Sequence, residues 1–167
     1  MEISGAVGGP LDSDLNGNEL ILDADADTSI TADTDDQIDF KTGGSDRFVV
    51  SSANAKFNVG AYNAEATLTD ASTISWDVST SPVAKVTLGA NRTLGAGTNA
   101  QAGQFVSLLI IQDGTGSRTV TFNAAYEFKD DTAPTLTTTA SKGDLFVFRY
   151  NGSKYLEVGR NQNLTLS

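Results

Sequence analysis

The chain reads as an all-β protein: a short-strand repeat of the β-prism or triple-β-helix kind, followed by a β-sandwich of jelly-roll-like type. Three observations predict this. Apolar triplets recur at a nearly fixed interval between residues 20 and 59. From residue 66 onward, alternating apolar runs are separated by turn clusters. No stretch carries the 3.6-residue period of an amphipathic helix.

The organisation divides into an arm at 1–19, a repeat at 20–65 and a sandwich at 66–167. The arm is rich in Gly, Asp, Asn and Pro, with Gly8-Gly9-Pro10 and Asn16-Gly17-Asn18 as turn signals. It reads either as a flexible leader or as an attachment arm that orders on docking. In the second reading its apolar grips are Ile3, Val7 and Leu11.

In the repeat, triplets start at residues 20, 29, 38, 48 and 57. A constant spacing marks a repeating architecture. A three-residue strand buries one or two side chains on a face, which does not offset the entropy of ordering its turn. Such rungs need neighbours and core donated by other chains. The expectation is therefore a narrow β-coil completed by identical copies, with a single-chain solenoid as the alternative. Its core residues would be Leu20, Leu22, Ile30, Ile38, Phe40, Phe48, Val50, Phe57 and Val59.

Gly60 marks the junction at which the period stops. Beyond it, strands are expected at 66–68, 73–78, 83–88, 104–112, 118–122, 144–150 and 155–158. The run Phe105–Ile111 is apolar almost throughout, as in a central strand covered on both faces. Asp113–Ser117 reads as a hairpin loop. Asn151-Gly152 between two apolar runs is a strong hairpin signal. Trp76 is expected in the core, with a sugar-stacking platform as the alternative.

Charge is uneven. Residues 1–50 carry 12 acids against Lys41 and Arg47, and residues 51–167 carry 9 acids and 9 bases. A half this acidic argues against nucleic acid or an anionic membrane as partner. Cysteine and histidine are absent, which removes disulfides, thiolate metal sites and histidine-based triads. No apolar run approaches a membrane span, and Met1–Gly5 lacks the features of a signal peptide.

The acids Asp23, Asp25, Asp27, Asp33, Asp35 and Asp36 supply enough oxygens for calcium. Only Gly43-Gly44-Ser45-Asp46 comes near the turn of calcium-binding β-rolls, so a solvated acidic surface is the favoured reading and no metal or cofactor is expected. Glycosidase chemistry needs two carboxylates across one cleft. Asp70, Asp77, Asp113, Glu127, Asp130, Asp131, Asp144 and Glu157 lie mostly at loop positions, and no enzyme is expected. Arg92 and Arg118 read as edge-strand charge, or as partners for an acid at a subunit contact.

The stretch from Gly17 to Phe40, with Gly43-Gly44-Ser45-Asp46-Arg47, resembles segments of tailed-bacteriophage fibre and tail proteins. Val86–Leu94, Ile111–Phe122 and Thr132–Leu136 resemble a β-sandwich module of phage fibres and capsid-surface proteins. The resemblance implies a non-enzymatic, homotrimeric virion protein, with phage capsid or tail proteins as partners. A chain of 167 residues is short for a long tail fibre. The first expectation is a capsid decoration or head-fibre protein that stabilises the shell. The alternative is a short tail fibre or tail-tip adhesin that binds host glycans, with Tyr62, Tyr126 and Tyr150 as candidate contact residues.

Overall fold

The computed structural model describes residues 19–166. The chain divides into two compact units between Tyr62 and Asn63. Apart from a short 3-10 turn at Lys129–Asp131, every regular element among the described residues is a strand. Ile3, Val7 and Leu11 lie outside the described residues.

The first unit is one five-stranded sheet: β1 (Leu20–Ile21), β2 (Ser29–Thr31), β3 (Gln37–Thr42), β4 (Ser45–Ser51) and β5 (Ala55–Phe57). Strands pair in sequence order and every pair is antiparallel. The interval of nine or ten residues is thus one strand plus one reversing turn. It is not one rung of a coil, in which successive strands would run parallel. The connections are too short for the crossover that parallel pairing needs. Gly43 and Gly44 make the tightest of them, both at positive φ (58° and 66°), as a two-residue hairpin turn requires.

The second unit has two sheets. β12 (Tyr126–Glu127), β14 (Tyr155–Thr165), β13 (Lys142–Tyr150), β10 (Phe105–Gln112), β8 (Val83–Leu88) and β6 (Ala66–Thr67) form the larger, in that spatial order. β11 (Val120–Phe122), β9 (Arg92–Leu94) and β7 (Thr73–Ile74) form the smaller. From β6 to β11, successive strands alternate between the two sheets. Within each sheet these strands are parallel. The chain therefore winds through three coils, and β13 and β14 then extend the larger sheet as an antiparallel hairpin.

This is a two-sheet all-β domain, but its order differs from a jelly roll, whose strands pair antiparallel. The difference lies in the connections. Gly89-Ala90-Asn91 carries the chain from one sheet to the other and does not fold β9 back on β8. Asp113–Ser117 likewise links β10 to β11 in the opposite sheet, so it is not a hairpin loop. Asn151-Gly152 does close a hairpin, with Asn151 N–H donating to Lys154 O at 3.0 Å.

The core lies between the sheets. Val86, Leu88, Leu108, Phe146 and Phe148 of the larger sheet meet Ile74 and Leu94 of the smaller. Trp76 is 1% exposed, and its indole N–H donates to Ser81 O at 2.7 Å, which places it in the core and not on a sugar-stacking platform. Phe122 packs edge-on to Phe128 and Phe146, with ring centroids at 4.8 and 5.5 Å.

Candidate assembly site

The first unit presents an apolar row. Register places Leu20 opposite Ile30, Ile30 opposite Phe40, Phe40 opposite Phe48 and Phe48 opposite Phe57. Five strands thus contribute one residue each to a line across the sheet. The three rings follow one another at 5.5 and 4.7 Å. Because side chains alternate along a strand, Ile38 and its partner Val50 share this face. Most of these residues are exposed within the chain: Leu20 46%, Ile38 46%, Phe40 37%, Val50 36% and Phe57 58%. Leu22 and Val59, just beyond the strand ends, are 57% and 44% exposed.

The reverse face is mostly polar, with Ile21 and Val49 as its large apolar residues, and its centre is the buried part. Ser29, Thr31 and Asp39 are at most 3% exposed. Gln37 Nε2 donates to both Asp39 oxygens at 2.9 and 2.8 Å. The Lys41 ammonium donates to Glu19 at 3.1 Å and Asp33 at 3.2 Å. Those hydrogen bonds hold its pKa above the ordinary lysine value. Most of the sheet's large apolar side chains therefore lie on its more exposed face.

The acidic turns flank this sheet. Carboxylate oxygens of Asp23, Asp25 and Asp27 lie within 4.8 Å of one another, all exposed. Asp23 accepts from Thr28 N–H at 3.2 Å, and hydrogen bonding to Thr28 lowers its pKa. The group thus closes the β1–β2 turn. Asp33 serves Lys41, while Asp35 and Asp36 border a shallow hollow of about 560 Å³ beside Ile38 and Val50.

In the second unit the singled-out acids hold loops. Asp70 pairs with Arg92, Asp113 with Arg118 and Glu127 with Lys154. Asp77 accepts from Ser79 and Asn99. Asp144, 2% exposed, accepts from the Thr137 and Asn163 N–H groups at 2.7 and 3.0 Å. Arg92 and Arg118 are therefore engaged inside the chain, at the corners of the coils, and not held free for a neighbour.

Of the three tyrosines considered for glycan contact, Tyr62 is 89% exposed. Tyr126 is buried, its hydroxyl donates to Gly95 O at 3.1 Å, and burial pushes its pKa up. Tyr150 packs on Tyr155 at 4.8 Å.

A family model described as "Putative phage tail fibre C-terminal domain" matches residues 66–155, more than half of the chain. No curated protein matches the sequence.

Proposed function

The chain belongs to the phage tail fibre C-terminal domain family, a component of the virion particle, and from that premise we propose that it is a non-enzymatic tail fibre protein that assembles as a homotrimer. The observation that carries the assembly is the outward apolar row of residues 20–59. Exposed apolar surface of this kind in a chain of net charge −10 asks for cover. Three copies meeting through that face would hide the apolar residues and leave the acidic turns in water, where like charges stay apart.

Sheets meeting in this way would form the prism-like core expected of the repeat. Leu20, Leu22, Ile30, Ile38, Phe40, Phe48, Val50, Phe57 and Val59 would be its contents, and the arm at 1–19 would join it to the particle. The domain at 66–167 would be the part that meets the host surface, and Tyr62, just before it in sequence, is an exposed aromatic residue open to a glycan. The family supports a tail fibre better than capsid decoration.

Labelling purified particles with an antibody to residues 66–167 tests the reading. Label at the tail is the expected result; label over the head would return the chain to the capsid surface. Sedimentation tests the assembly separately, with about 52 kDa expected from three chains of 17.4 kDa.

A further inference from the structure

One side of the larger sheet of the second unit carries that unit's core, and the residues of the other side are buried less. Along β10, Val106, Leu108, Ile110 and Gln112 are buried, while Phe105, Ser107, Leu109 and Ile111 alternate with them and point the other way. Register continues that outer face into β13: Phe105 lies opposite Arg149, Ser107 opposite Val147, Leu109 opposite Leu145 and Ile111 opposite Gly143. A Cβ at Gly143 would meet Leu109 and Leu166 at 3.0 Å, so both leucines close over that glycine on the same face.

Two features of this face differ in shape. Phe105 stands out, 58% exposed. Beside Gly159, which has no side chain, there is a hollow of about 270 Å³ lined by Leu145, Val147, Val158, Arg160 and Asn161. The register shift between Val147 and Phe148 leaves Val158 as an extra residue at its rim, also 58% exposed.

We propose that this outer face is a second contact between copies of the chain, in which Phe105 of one copy fills the hollow beside Gly159 of the next. A protruding ring and a hollow on one face are complementary to each other in two copies. Residues 51–167 are charge-balanced, with 9 acids and 9 bases, so copies meeting here do not repel as the acidic half would. Phe105, Val158 and Leu166, with the half-buried Leu109, Ile111, Leu145 and Val147, present on the order of 500 Å² of apolar surface, a large part of the roughly 800 Å² per partner that a stable interface buries. Ring and hollow are different patches of that face, so in a trimer the contact runs head to tail around the three-fold axis and closes as a ring. The inference rests on the reading of the chain as an oligomer and adds a contact that does not involve residues 20–59.

The chain has no cysteine, so an introduced thiol reports its own position. In the full-length chain, Phe105→Cys and Val158→Cys are each treated with a maleimide and compared with Tyr62→Cys, a site 89% exposed. The expected result is labelling at least about tenfold slower than at Tyr62→Cys. Oxidation of the double variant should link copies covalently on a denaturing gel. Ser107→Cys, a small change in the middle of the same face, gives the readout again if the larger changes disturb folding. An oligomer of unchanged mass in which these thiols label as fast as Tyr62→Cys overturns this contact and leaves the trimer standing. A wild-type chain sedimenting at 17.4 kDa overturns the trimer and this contact with it.

Discussion

Arg92 grips Asp70 from the next coil of the second unit: Nε and Nη2 donate to the two carboxylate oxygens at 2.6 and 2.7 Å. Gly89 N–H adds a third donor at 3.1 Å. In the next coil the grip is local: Arg118 and Gly116 N–H hold Asp113 of their own loop. Between them Asn91 Oδ1 accepts from Thr119 N–H at 3.0 Å, which ties one corner to the next.

Both carboxyls are held below the usual carboxylate range, chiefly by hydrogen bonds from their arginines. A carboxyl depressed by folding adds stability above its unfolded value, near 3.9, and that stability is lost as pH falls through the folded value. Thermal melts should therefore lose midpoint temperature below about pH 4. Asp70→Asn should melt lower than the parent at neutral pH, and the gap should close in acid. A gap that is the same at both ends of the range would show that the charge is not what matters.

Phe48 sits in the middle of the apolar row, between Phe40 and Phe57. Phe48→Asp would place a charge where copies are proposed to meet. The expected outcome is a 17.4 kDa species by sedimentation, with the fluorescence of Trp76, in the other unit, unchanged. A wild-type-mass trimer in which Phe48→Cys reacts with a maleimide as fast as Tyr62→Cys would count against that face.

Gly116 has φ +75°, and a Cβ there would lie 2.5 Å from Thr138 O and 2.8 Å from Ala140 N, both backbone atoms. Gly116→Ala should cost about 1–3 kcal/mol, the range for overpacking a closed site. Gly114→Ala, two residues away with nothing within 4 Å, is the control. Urea unfolding followed by circular dichroism compares the two.

Leu108 is fully buried in the central strand of the larger sheet. Leu108→Ala should destabilise the second unit by about 2–5 kcal/mol. Denaturation followed at Trp76 reads that unit alone, because the chain has no other tryptophan.

Much of the strand content was legible, and the pairing was not. The triplets between 20 and 59 fell on strands or at strand ends because apolar spacing reports the length of strand plus turn. It does not report whether the turn reverses the chain. Gly43-Gly44 carried that information, as a dipeptide that favours hairpin turns. In the second unit β8, β10 and β13 were visible from their apolar runs. β9 has only three residues, too few to show a period. The polar second half of β14, from Gly159 on, does not look like a strand, since as an edge it pairs on one side and faces water.

The site shows the same division. The apolar row could be read from residue type and interval. The burial of Tyr126, and the pairing of Arg92 and Arg118 within the chain, depend on which loops the coils bring together. Phe105–Ile111 looked like a strand covered on both faces; one face is buried in the core and the other only half-buried, with Phe105 exposed.

The coils have a consequence for how such a domain can vary. β6 with β7, β8 with β9 and β10 with β11 are successive turns of one winding, stacked through parallel pairs. Neighbouring strands lie about 4.8 Å apart, so duplicating the β8–β9 turn would lengthen the stack by that amount while leaving both ends unchanged. Asp70 and Asn91 form the seam along which an added turn must find partners. Insertions that carry their own Asp or Asn at that corner should be tolerated, and the domain could in this way grow or shrink by whole turns without redesign of its core.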